Sequence, residues 1–195
     1  FYAYSQLALV YQNQKMMDSS LWFAQKGYDL SLQTVYSRYV TMGSAVLGEI
    51  HNEMGQHELA RKYSLLGVQQ SKKVNNTYFL TRNYNNLANL FYKTGHPDSS
   101  IYYARLSLQI CQERNFSEYA LDASSILTKV FEAQNSPDST IKHMKIMLTE
   151  KDSVLGQSKV KEFQKALFDD EQRKQEIIKE QEQYKSRMRI YALVS

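Results

Sequence analysis

One property of this chain limits its fold more than any other: the sequence repeats itself every 40 residues. A large apolar residue beside a small one recurs at Leu7-Ala8, Leu47-Gly48, Leu87-Ala88 and Leu127-Thr128. Each pair is followed on the same helical face by further bulk, at Val10-Tyr11, Ile50-His51, Leu90-Phe91 and Val130-Phe131. Ser20, Ala60, Ser100 and Thr140 form a second small-residue column, and Gly27, Gly67 and Ser107 a third, which Met147 breaks. A period of this length marks an array of supersecondary units. A single such unit cannot bury its own apolar face, so neighbours must stack.

Each unit reads as two helices joined by a tight turn. Gly55, Gly95 and Asn135 sit where the first helix ends, and these residues tolerate left-handed backbone. The second helix opens at Pro97-Asp98 or Ser136-Pro137-Asp138. Proline suits a first helical turn, and an acid there faces the positive end of the helix dipole. With only 7 Gly and 2 Pro, the chain has little material for sheet turns. Its 15 Tyr suit half-wet grooves between packed helices. The expected fold is all-α, with four units over about 1–33, 34–74, 75–114 and 115–150.

The small-residue columns, with Leu47, Tyr11, Phe91, Phe131 and the Gly55 and Gly95 turns, resemble the tetratricopeptide repeat family. The resemblance covers about residues 1–150 and implies a right-handed helical solenoid. This chain departs from the family in two ways. Its period exceeds the family's usual length of about 34 residues. The family's tryptophan early in the first helix and its proline at the end of the unit are missing.

Beyond Leu148 the pattern changes. Asp152, Ser153, Gly156 and Ser158 predict a linker over 151–158. A polar, helix-favouring stretch follows over 159–195, roughly 50 Å long if helical. It carries a thin apolar seam of Phe163, Leu167, Ile177, Tyr184, Met188 and Tyr191. Phe163, Leu167 and Phe168 are expected to cap the fourth unit. Ile177, Tyr184, Met188 and Tyr191 are expected to form the seam of a homodimer, because several of these positions fall on a heptad grid. After Glu182 come Lys185, Arg187 and Arg189, then Ile190-Tyr191-Ala192-Leu193-Val194. Bases followed by Tyr and aliphatics read as a membrane boundary. The start at Phe1 inside a periodic segment, and this ending, are those expected of a piece of a longer chain. No run of about 20 apolar residues is present.

The segment from Phe168-Asp169-Asp170-Glu171-Gln172 through Tyr184, Arg187 and Arg189-Ile190-Tyr191-Ala192-Leu193 resembles the juxtamembrane helix of tetratricopeptide sensor histidine kinases of the Bacteroidetes type. That resemblance implies a periplasmic sensor domain that signals through a dimeric helix into a transmembrane span. Related membrane-bound transcription regulators share the layout. The alternative is a soluble, cytoplasmic scaffold that binds peptides or proteins.

No catalytic constellation is legible. His51, His57, His96 and His143 form no metal-binding spacing, and no glycine-rich phosphate loop exists. His51 occupies the column of Tyr11, Phe91 and Phe131, and His143 that of Phe23, Tyr63 and Tyr103, so both are expected to pack. The lone Cys111 rules out an internal disulfide. Neither a cofactor nor a metal is expected. The net charge of +4 is spread among acids, which gives no nucleic-acid footprint.

Binding is the expected activity. One face of the first helices presents Tyr2, Ser5 and Leu9, then Met42, Glu49 and Asn52, then Arg82, Asn85, Asn89 and Tyr92, then Asp122 and Lys129. The groove-binding candidates are Arg82, Asn85, Asn89, Tyr92, Asn52 and Lys129. Arg and Asn on one stripe suit a carboxylate or a peptide backbone.

Overall fold

Small residues at fixed spacing let helices cross closely, and the chain folds accordingly. A computed structural model describes residues 2–33 and 37–194, with the side chains at 37, 163, 166–167 and 184–194 outside that description. Eight helices make up the described residues: α1 (Tyr2–Asn13), α2 (Met17–Leu32), α3 (Ser37–Glu53), α4 (His57–Lys73), α5 (Thr77–Lys93), α6 (Pro97–Arg114), α7 (Ser117–Ala133) and α8 (Pro137–Val194). The chain divides into two compact units, Phe1–Lys151 and Asp152–Ser195. The first is a helical repeat solenoid. Odd-numbered helices form one layer, in which α3 touches α1 and α5, and α5 touches α7.

The turns explain the register. Within units, the backbone enters left-handed space at Lys15 (φ 62°), Gly55 (φ 72°), Gly95 (φ 74°) and Asn135 (φ 52°), one repeat apart. Between units, Asn75 (φ 52°) and Asn115 (φ 55°) do the same. Each within-unit turn closes with a bond back over five residues: Met16 N to Tyr11 O at 2.9 Å, Gln56 N to His51 O at 2.8 Å, His96 N to Phe91 O at 2.8 Å and Ser136 N to Phe131 O at 2.9 Å. This pattern satisfies carbonyls that the helix end leaves open.

The core follows the columns. Ala8, Leu47, Ala88 and Leu127 are fully buried. Ser20 Oγ donates to the Ala8 carbonyl, and Ser100 Oγ to the Ala88 carbonyl, each at 2.8 Å. The first two small-residue columns therefore touch within a unit. The third column meets the next or preceding inner helix. A Cβ placed on Gly67 would collide with the buried Asn83 side chain, and one on Gly27 would crowd Tyr4 and Ser5.

Between the helices of each unit lies one parallel ring stack: Tyr11 on Phe23 (5.1 Å between centroids), His51 on Tyr63 (5.4 Å), Phe91 on Tyr103 (5.6 Å) and Phe131 on His143 (5.5 Å). His51 and His143 thus stand in for aromatic rings. Burial lowers the pKa of each. Cys111 is 2 % exposed, and burial pushes its thiol up to about 12.

The linker expected over 151–158 is helical instead, as part of α8. Asp152, Ser153 and Ser158 are weak helix formers rather than breakers, and an isolated glycine costs only about 1 kcal/mol. A Cβ on Gly156 would meet nothing within 4 Å, so no packing demands a turn there. Within the second unit, every described side chain from Leu155 to Gln183 is exposed. These include Phe168 at 62 % and Ile177 at 50 %. Of the residues expected to cap the fourth unit, the side chains of Phe163 and Leu167 lie outside the described residues. Of the expected dimer seam, Ile177 is described, whereas the side chains of Tyr184, Met188 and Tyr191 are not. Among the described residues, no helix is long and apolar enough to cross a membrane.

Candidate functional site

The inner helices α1, α3, α5 and α7 enclose a cavity of about 490 Å³. Its wall is built from seven sequence columns spaced by the repeat, Asn13 with Glu53, Tyr78 with Glu118 and Asn86 with Ile126 among them. Leu9, Glu49, Asn89 and Lys129 form another, and Gln12 and Asn52 begin a further one. Arg82 with Asp122, and Asn85 with Ser125, form two more. The core columns hold to small or ring-bearing residues with few breaks, Met147 being one. The wall columns change their chemistry at nearly every step.

A polar belt runs along the floor. Gln12 Nε2 donates to Glu49 Oε1 at 3.0 Å and to Glu53 Oε1 at 2.9 Å. Arg82 donates to Glu49 Oε2 from both Nε (3.0 Å) and Nη2 (2.6 Å). The belt therefore joins α1, α3 and α5. Asn86 Nδ2 donates to the Ala45 carbonyl at 2.9 Å, Lys93 Nζ to the Asn52 carbonyl at 3.1 Å, and Asn85 Nδ2 to the Tyr119 carbonyl at 3.0 Å. These bonds tie α5 to both of its neighbours.

The electrostatics follow from that belt. Burial works against the Arg82 charge, but Glu49 beside it more than offsets this, and the pKa is raised. Asp122 is reached by water yet sits low between protein walls. Burial, then Glu49 and Glu118, push it up to about 6, against the opposing pull of Arg82 and Lys129. Tyr119 is also raised, chiefly by burial. Four carboxylates (Glu49, Glu53, Glu118 and Asp122) face two cations, Arg82 and Lys129, in the wall.

Five of the six groove candidates, Asn52, Arg82, Asn85, Asn89 and Lys129, line this cavity together. Tyr92 does not line it, although it is 39 % exposed. The expected role of Arg82 changes in the structure. Its guanidinium is held by Glu49 and does not stand open for a ligand carboxylate. Ser5 and Met42 are buried, at 1 % and 7 % exposure, and belong to helix packing. Sequence reasoning missed Gln12, Glu53, Tyr78, Glu118 and Tyr119. Gln12 was within reach of it, one repeat before Asn52.

No family model matches this chain, and no curated protein matches it in sequence. Solved structures do match in fold. BtubC from P. vanneervenii is similar over 78 % of this chain and 63 % of its own, with a TM-score of 0.62 at 18 % identity. A Rap protein complexed with Competence and Sporulation Factor is similar over 77 % of this chain and 43 % of its own, with a TM-score of 0.65 at 16 % identity. This chain thus spans less than two thirds of either length. Both neighbours are helical repeat proteins, and that architecture is shared here.

Proposed function

We propose that this chain is a binding module of tetratricopeptide type, whose inner groove holds an extended segment of a peptide or partner protein. One observation carries the reading. The groove spans all four units, and its wall columns vary in chemistry on a scaffold whose core columns vary little. A solenoid that only needed to stack has no use for such a wall. The Rap likeness supports the same reading, since a protein of this fold is complexed there with a factor. Grooves between helices are common ligand sites. The test is peptide selection on the purified protein, followed by Ser125→Trp, which places a bulky ring on the wall of the cavity. Selected peptides should lose binding to the plugged variant. Peptides that bind both forms equally would place recognition elsewhere and overturn the reading.

A second reading concerns the polar helix of the second unit. Leu155, Val160, Phe168, Ile177 and Ile178 are each about half exposed or more, which supports a partner helix along that segment. Under this reading the chain is the extracytoplasmic sensing part of a membrane-bound histidine kinase or transcription regulator. It dimerises through that helix, with the membrane next to its C-terminal end. Sedimentation of the intact chain beside Ile177→Glu tests it. A dimer that the substitution weakens supports the reading, and a monomer at all concentrations defeats it.

A further inference from the structure

Consecutive units of this solenoid meet through fixed positions, and α1 keeps the residue types of those positions on an open face. Leu47, Leu87 and Leu127 are fully buried, and Ile50, Leu90 and Val130 are at most 3 % exposed. One repeat before the first of each, Leu7 is 40 % exposed and Val10 is 49 % exposed.

The difference is the second helix of the preceding unit. Val46, Leu47 and Ile50 share a core cluster with Leu21, Ala24 and Tyr28 of α2. Leu127 and Val130 share one with Ile101, Ala104 and Leu108 of α6. The approach is close, since a Cβ on Gly43 would stand 3.0 Å from the Tyr28 ring. Among the described residues, α1 packs on α2 and α3 alone.

Nothing in α1 adapts it to water. Ala3, one repeat before Gly43, is small as Gly43 and Ala123 are, yet it is exposed where they are buried. The 12 residues of α1 include no charged side chain, whereas α3, α5 and α7 all carry charges. A surface helix sets charged groups on the face away from its core, and a unit that ends an array turns a polar outer face to solvent. The far end of the solenoid does not fit as the cover. On α8, Met144 and Met147 stand where Ala24, Ser64 and Ala104, and Gly27, Gly67 and Ser107, let helices close in. These methionines would hold the α8 of a second copy off α1.

We propose that α1 is an inner member of a longer array, and that the second helix of a further repeat unit, preceding Phe1 in the same polypeptide, covers its Leu7 and Val10 face. That helix carries a small residue one period before Ala24 and an apolar one one period before Tyr28, as Ser64 with Val68 and Ala104 with Leu108 do. It docks by burying apolar surface rather than by ion pairing, because α1 offers no charge. The cover is independent of any ligand in the groove.

Thiol labelling at Val10→Cys tests this. The native Cys111 is buried, so the unsubstituted chain gives the background. N-ethylmaleimide is applied to residues 1–195 and to the polypeptide extended upstream by its own natural sequence, with Lys26→Cys, at an exposed position of α2, as the control. Val10→Cys should label as readily as Lys26→Cys in residues 1–195, and about tenfold more slowly once the upstream sequence is present, at every protein concentration. Lys26→Cys should be unchanged. Gln6→Cys, one repeat before the buried Val46, gives the same comparison if Val10→Cys folds poorly by circular dichroism. Protection in residues 1–195 that rises with concentration would assign the face to a second copy and overturn the proposal. Equal labelling in the two polypeptides would overturn it as well. So would an upstream reading frame shorter than one period, or one without the small and apolar pair.

Discussion

Arg82 places two hydrogen bonds on a single oxygen of Glu49, 33 residues earlier and one unit away, with the arginine side chain only 12 % exposed. This contact is structural before it is functional. Replacing Arg82 with Ala leaves the Glu49 carboxylate beside Asp122 with only the neutral Gln12 amide bonded to it. The expected cost is roughly 2–3 kcal/mol, below the figure for a fully buried pair because the Glu49 side chain is a third exposed. Urea unfolding of Arg82→Ala and of Arg82→Ala with Glu49→Gln measures it. The double variant should recover most of the loss, and equal losses in both would remove the ion pair from the account.

Asp122 makes the opposite prediction. Its folded pKa, about 6, lies above the ordinary carboxylate value, so the folded chain binds the proton more tightly than the unfolded one. Stability from this group is present at low pH and is lost as pH rises from about 4 through about 6. Asp122→Asn should therefore raise the melting temperature at neutral pH, with the gain shrinking toward zero near pH 4. A gain independent of pH would contradict the raised pKa of the carboxyl.

The two stacked histidines act on the other flank. Burial lowers the pKa of His51 and of His143, so each contributes stability that is complete above about 6.5 and is lost as pH falls below it. Phenylalanine already fills the equivalent stack position at Phe91. His51→Phe with His143→Phe should flatten the loss between about pH 6.5 and pH 5, which thermal melts across that range would show. An unchanged slope would mean that neither imidazole is held neutral.

Lys15 carries backbone strain that Gly55 and Gly95, at the same turn, avoid. It holds φ at 62° where Gly55 and Gly95 stand one and two repeats later. The left-handed region costs a side-chain-bearing residue about 1–2 kcal/mol, of which glycine's extra freedom in the unfolded chain returns part. Lys15→Gly should stabilise by about 0.5–1 kcal/mol on that balance. Gly55→Lys should destabilise by a similar amount. Chemical denaturation of the pair decides the matter, and a loss on Lys15→Gly would show that the lysine side chain contributes something the turn geometry does not reveal.

Much of the first unit was legible because repetition writes each demand several times. The small columns, the aromatic columns and the left-handed turns at Gly55, Gly95 and Asn135 each recur, so chance matches cancel. The Lys15 turn was not legible, since nothing in a lysine announces positive φ. The stretch over 151–158 was misread for a related reason. Asp, Ser and Gly favour turns when little holds the chain otherwise, but strong helix formers on both sides outweigh them.

The candidate site divides along the same line. Sequence alone placed part of the inward face, the columns of Glu49, Asn52, Arg82, Asn85, Asn89 and Lys129, because a 40-residue period and a helical repeat fix the face a residue occupies. It could not determine which inward groups are already held. That Arg82 is bound by Glu49, that Gln12 takes the other oxygen, and that Glu118 and Asp122 are left over depends on distances between helices one unit apart. Charge pairing is a matter of a few ångströms, and only the stacked units bring those side chains within that range.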